Sequence, residues 1–350
     1  MRNLFLYICL LFVLQELHCQ DLPCGTAIPE YDILDGVEYL ETKSSAALYD
    51  MRYFKINVHI IRKSDGTGGV DESVSGFIKV LLDQLNSYYN NAFVHFYTCT
   101  PIEYIDDDSL YYNYRNNVNE TTLINDHNDT YGINLYYTSK VFMLNEYGYD
   151  SVCGYAYYPP SSYQYTQQYN FIIIQNNCFY DSTVHEMGHF FSLYHTHDCA
   201  DGICELVNGS NCSTAGDKCC DTPADPGLNY SNVYSDCIYH GTATDSNGDL
   251  YTPDPTNIMS YSRKECRTTL TPNQYGRVRA TSRTLQRIPF NHQTRISNAD
   301  INYYMEIEDD NVLLDNVTFS ADTVDINACN QVVLEKNVEV PLGHVVIIQQ

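Results

Sequence analysis

The chain has 350 residues, with 44 Asp and Glu against 19 Lys and Arg, a formal net charge of −25, 14 Cys, 33 Tyr and no Trp. That much negative charge would repel a phosphate backbone, which argues against nucleic-acid binding, while the length accommodates a sizeable core in roughly two domains. Beyond the N-terminus no stretch offers about twenty apolar residues in a row, so the mature chain is not expected to span a bilayer.

Met1-Arg2-Asn3 and the apolar run Leu4 to Leu14 read as a secretory signal peptide, residues 1–19, with a basic start and an apolar core too short to cross a membrane. Export to an extracellular, oxidising compartment follows, and with Cys9 and Cys19 removed an even number of cysteines remains for disulfides. Residues 20–52 hold Cys24-Gly25-Thr26 and little periodicity, as in a short prosegment. Tyr53 to Arg62 alternates as a strand, Asp65 to Gly69 turns the chain, and Asp71 to Asn91 carries an apolar stripe at helical spacing. Ala92 to Thr98 is expected to be a second strand, the acidic, Asn-rich residues 103–130 to be loops, and Ile133 to Thr138 a third strand. Phe171 to Ile174 is a continuous apolar run suited to a buried strand.

The run His185-Glu186-Met187-Gly188-His189 then opens the chemistry, with Asp181 or Ser182 as the expected cap of its helix. Histidines four apart lie one turn above each other on a helix, so His185 and His189 can offer two nitrogens to one ion. His195 lies too far along to share that face unless the helix stops near Ser192 and the chain turns back. With that turn, three imidazoles hold Zn²⁺ and leave a fourth position open, as catalytic rather than structural zinc sites do. Glu186, beside the first ligand, is placed to take a proton from an activated water.

After His195 the composition shifts to Gly, Asp and Asn with Cys199, Cys204, Cys212, Cys219, Cys220 and Cys237, a loop-rich region held by disulfides. Thr271-Pro272-Asn273-Gln274 has the form of a capping box opening a helix to about Gln286. Residues 291–350 contain short alternating runs and read as a small β-rich C-terminal segment without visible chemistry.

The zinc run continued to His195, with Ser192 where glycine is usual, resembles the long motif of metzincins. The ordered set of that run, Gly216-Asp217 to Asp221-Thr222-Pro223, Asn257-Ile258-Met259-Ser260-Tyr261, and Cys266 to Arg277 is similar to the pappalysin family of secreted metalloendopeptidases. The resemblance implies an α+β fold with a metzincin-like catalytic domain over 53–290: a twisted mixed sheet, a long backing helix, a zinc helix and a disulfide-bonded lower subdomain. It prefers His195 over His197 as third ligand, makes Met259 an apolar floor beneath the metal, and gives Tyr261 a part in holding the oxyanion. It makes Gly154 to Tyr158 an edge strand that pairs with extended protein or peptide substrates. Asp217, Asp221 and Thr222 offer hard oxygens where the family suggests calcium, and Glu265 falls where related enzymes carry an acid that favours Lys or Arg after the cut bond. Cys24 is either a half-cystine or, as in latent metzincins, a thiolate on the open zinc position. The expected protein is a secreted, monomeric zinc endopeptidase; the rival is a catalytically silent, metal-stabilised binding or adhesion protein on the same fold.

Overall fold

The computed structural model describes residues 22–27, 51–70, 76–129, 131–159, 167–199, 202–284, 293–302, 306–342 and 344–349. The expected signal peptide, most of the expected prosegment, the helix start at Asp71 and the helix end at Gln286 lie outside them.

In chain order the N-terminal part runs β1 (Arg52–Arg62), α1 (Phe77–Tyr89), β2 (Val94–Tyr97), β3 (Glu103–Asp106), α2 (Asp108–Asn113), β4 (Tyr114–Arg115), α3 (Asn116–His127) and β5 (Ile133–Thr138). It continues with β6 (Val141–Asn145), β7 (Gly148–Val152), β8 (Gly154–Ala156), β9 (Phe171–Gln175) and α4 (Phe179–Phe190). β1 is the spine of a mixed sheet ordered β2-β1-β5-β9-β8, with β3 also on β1; β8 alone runs antiparallel, at the edge. Residues 54 to 61 of β1 are buried without a break, as expected of a parallel strand covered on both faces. On one face α1 lays down Phe77, Leu81, Leu85 and Tyr89, one per turn, beside Val184, Met187 and Phe190 of α4. On the other face Leu123 and Ile124 of α3 pack with Tyr136 and Ile173.

Residues 103–130 are therefore not the loops expected of them. Their helices have little apolar periodicity, α3 burying only Leu123 and Ile124, so the pattern was too faint to read. They are held by polar contacts instead: Asp107 caps α2 by accepting from Ser109 and Leu110 N–H, and Glu103 joins His59 to His127 at 2.6 and 2.8 Å. The expected caps of α4 also differ. Its helix starts at Phe179, after a 3-10 turn closed by Cys178, and has no side-chain cap. Asp181 instead lies in the first turn, where a carboxylate suits the helix dipole, and the Cys153–Cys178 disulfide anchors the start.

Beyond α4 the chain is mostly turns pinned by Cys199–Cys204, Cys212–Cys220 and Cys237–Cys266, until α5 (Pro272–Thr284). Its capping box is formed, since Gln274 N–H donates to Thr271 Oγ1 and Thr271 N–H to Gln274 Oε1, at 3.3 and 2.9 Å.

The C-terminal strands β10 (Gln293–Ile301), β11 (Glu306–Phe319), β12 (Thr323–Glu339) and β13 (Val345–Gln349) form an all-parallel sheet around Val312, Leu314, Val317, Phe319, Val324 and Ile326. Parallel neighbours normally need a crossover of a dozen or more residues, yet Phe319 and Thr323 leave no room for one. The strands instead coil over one another, and β10, β11 and β12 each bend at an Asn with positive φ: Asn298, Asn316 and Asn337, at 51°, 55° and 50°. These stack in register, and Asn316 donates to Asn298 at 2.8 Å. The short repeat Asn-Ala/Val-x-Ile/Phe/Val at 298, 316 and 337 is the sequence signal for this coil. Cys99–Cys329 bonds it to the N-terminal part.

Candidate metal centre

α4 puts His185 and His189 on one face, and its C-terminus supplies the reversal. Leu193 N–H bonds to Gly188 C=O at 2.9 Å and Ser192 N–H to His189 C=O at 2.9 Å, the paired bonds of a Schellman ending. Ser192 is left-handed, with φ 68°, where glycine would be unstrained. The buried guanidinium of Arg277 holds the Ser192 carbonyl at 2.6 Å.

The returning chain carries His195 to the other two. His189 Nε2 stands 3.2 Å from His185 Nε2 and 3.1 Å from His195 Nε2, with all three rings buried. Each Nδ1 faces an oxygen: the Ile258 carbonyl at 2.8 Å for His185, the Leu193 carbonyl at 2.7 Å for His189, and Asp198 at 3.3 Å for His195. These partners assign the proton to Nδ1 and turn three Nε2 lone pairs towards one another. Burial and mutual repulsion push the pKa values of His185 and His189 well below the usual imidazole range. Converging neutral imidazoles with oriented outer partners fit a borderline-soft cation such as zinc. The Cys24 sulfur joins the same cluster, the four donor atoms all lying within 4.8 Å of one another.

Cys24 arrives on an extended stretch laid along β8. Cys153 N–H bonds to Pro23 C=O at 2.8 Å and Gly25 N–H to Gly154 C=O at 2.7 Å. Ala156 N–H donates to Thr26 Oγ1 at 2.9 Å, and that hydroxyl donates to Glu186 Oε2 at 2.9 Å. Glu186 Oε1 is buried without a partner, and burial raises the carboxyl pKa to about 7. The Tyr261 hydroxyl donates to the Cys24 carbonyl at 3.2 Å, and burial holds its pKa well above the usual phenol value. Cys24 forms no disulfide.

Met259 is fully buried against Gly188 of the zinc helix. Its N–H donates to Asn257 Oδ1 at 2.9 Å; Asn257 Nδ2 donates to Gln274 Oε1 at 2.9 Å, and Gln274 Nε2 to Asp217 at 3.2 Å. Three motifs far apart in sequence thus meet in one buried polar chain beneath the histidines. His197 stacks on His195 with ring centroids 5.1 Å apart and belongs to a second cluster with His195 and Asp198, outside the tripod.

The residues expected at the calcium and specificity positions have partners within the chain. Asp217 is taken up by Gln274 and the Cys219 N–H, while both oxygens of Asp221 cap α5, accepting from Thr271 Oγ1 at 2.7 Å and Asn273 N–H at 2.8 Å. Thr222 lies against Asp217, while Asp221 turns both oxygens to α5. Glu265 is exposed and paired with Arg263 at 2.5 Å; the cavity beside His185 and Glu186 is lined instead by Lys264 and Arg267. The 3-10 turn Lys264–Cys266 rotates each successive side chain to a different side, which spacing alone does not reveal. Sequence reasoning also passed over Asp198 and Tyr158, whose hydroxyl lies 3.0 Å from His189 Nδ1; neither sits in a recognisable motif.

A family model described as pregnancy-associated plasma protein-A, of the M43 peptidases, matches residues 117–282. No curated protein matches the chain. Mature mirolysin of Tannerella forsythia, solved in complex with a cleaved peptide, aligns at 15% identity and a TM-score of 0.45 over 70% of this chain and 97% of its own. Residues 117–282, which hold the three histidines, Glu186 and the Asn257 to Tyr261 turn, are the part of the chain that matches this family of metallopeptidases.

Proposed function

We propose that the chain is a secreted, zinc-dependent endopeptidase with His185, His189 and His195 as ligands and Glu186 as general base. The observation that carries this is the convergence of the three Nε2 atoms beside a buried carboxylate that has one oxygen unpaired. When bound, zinc polarises a peptide carbonyl and makes water acidic enough to be deprotonated near neutral pH. Glu186, buried beside the three imidazoles with Oε1 unpaired, is placed to accept the proton of the attacking water and return it to the leaving amine. Tyr261 remains a phenol and donates to the carbonyl oxygen as it gains charge, as it already does to the Cys24 carbonyl. β8 receives the substrate as an added strand, which reads backbone rather than side chains.

The same contacts support latency. With Cys24 on the fourth donor position and residues 23–26 along β8, the N-terminal segment fills the place where substrate would lie. We assign residues 1–19 to a signal peptide, 20–52 to an inhibitory prosegment, 53–290 to the catalytic domain and 291–350 to the β coil, in a monomer.

The test is metal analysis and casein hydrolysis on protein whose N-terminal segment has been removed, beside Glu186→Gln. One zinc per chain, hydrolysis abolished by chelator, and a variant that keeps zinc but loses at least ~10²-fold in rate are expected. Zinc without hydrolysis in either protein would leave a binding scaffold instead.

A further inference from the structure

The cavity beside the tripod has a volume of about 330 Å³ and is walled by Ser182, Leu228, Tyr230 and Tyr261, with Lys264 and Arg267 contributing its cations. His185 and Glu186 also line it. A side chain entering it therefore belongs to a residue next to the reacting carbonyl. Because Glu186 returns its proton to the leaving amine, that residue is the one following the cut bond.

Arg267 is half-buried, and it is the inner part of its side chain that is covered. One terminal nitrogen reaches the Ser260 carbonyl at 3.3 Å, and its Nε is buried with no hydrogen-bond partner. A guanidinium on a cavity wall with a donor to spare suits a carboxylate, because it offers a planar fork of donors. Asp181 and Glu186 are both near enough to offset part of that charge, and neither forms a hydrogen bond with the guanidinium among the described residues. Lys264 Nζ lies 3.1 Å from Cys153 Sγ on the cavity wall. The acid nearest in sequence, Glu265, turns away to Arg263 and does not neutralise the pocket.

We infer that this peptidase selects Asp or Glu at the position following the cut bond, with Arg267 as the main specificity determinant and Lys264 as the second cation. The inference deepens the peptidase reading and rests on it. A hydrophobic pocket of this size discriminates weakly between side chains, whereas a buried unpaired donor left without its partner penalises the wrong substrate.

The experiment is mass-spectrometric profiling of cleavage sites in a peptide library with the trimmed enzyme. Asp and Glu are expected to exceed Ala after the cut by about tenfold or more in kcat/KM. Arg267→Glu is expected to turn the preference towards Lys and Arg; Lys264→Glu, at a less enclosed position, is expected to reduce the acidic preference and serves should the first variant not fold. Cleavage with apolar or basic residues enriched in the parent enzyme overturns this inference and leaves the peptidase reading standing. An acidic preference untouched by both substitutions overturns the assignment to these residues. No cleavage of any peptide overturns the peptidase reading together with it.

Discussion

A Cβ placed on Gly188 would stand 2.5 Å from the Met259 sulfur. The middle of α4 and the turn beneath it are thus in contact without a side chain between them, and glycine there leaves the space that the Met259 side chain fills. Its φ is not among the positive ones, so backbone freedom is not the reason.

Gly188→Ala sets two effects against each other. Alanine gains about 1 kcal/mol of helix propensity, while overpacking of a filled core costs about 1–3 kcal/mol. The steric term is expected to win, because Met259 is fully buried beneath the helix and its shift must be taken up by the core around it. Thermal melts are expected to show a lower Tm, with Gly188→Ala and Met259→Ala together costing less than their sum. An unchanged or higher Tm for the single variant contradicts the contact.

Cys24→Ala is expected to raise the basal activity of the untrimmed chain, since the sulfur is the donor that completes the cluster around His185, His189 and His195. Initial rates on a quenched peptide, before and after trimming, measure it. If the untrimmed variant stays silent while the trimmed one cleaves, the backbone of residues 23–26 blocks the cleft and the thiol does not.

Asn257→Ala strands the buried Met259 N–H, while the Gln274 amide keeps Thr271 and Asp217 as partners. Leaving buried donors unpaired costs about 1–3 kcal/mol, and His185 leans on the carbonyl of the next residue, Ile258. Both urea stability and zinc affinity are expected to fall. Loss of stability with zinc affinity intact would separate the turn from the metal site.

Asp198→Ala removes the acceptor that meets both the backbone N–H and Nδ1 of His195, at 2.9 and 3.3 Å. Outer partners of this kind are worth about 10–100-fold in metal affinity. Competition with a chelating dye is expected to show that loss for Asp198→Ala and a smaller one for His197→Ala, whose ring stacks on the site from outside. A larger loss for His197→Ala would make it the third ligand.

Much of the site was legible because it is local. The rise of an α-helix alone sets His185 over His189, and the left-handed geometry needed after Phe191 could be anticipated at Ser192, where φ is 68°. The motifs around Asp217, Asn257 and Gln274 could be recognised as a set, although nothing in their order says that they form a single buried hydrogen-bond chain. The coil of β10 to β13 was signalled by its repeated asparagines, which a search for short apolar runs does not detect.

By itself the sequence determined the donor types, their helical spacing and the carboxylate beside them, since residues within a turn or two of each other have few ways to be arranged. Only the tertiary structure decided where Cys24, Asp221, Glu265 and Arg267 point. Each takes its place from a loop or 3-10 turn, where one residue's rotation exchanges which side chain faces the cavity. The charge of the pocket, basic rather than acidic, was settled by that rotation.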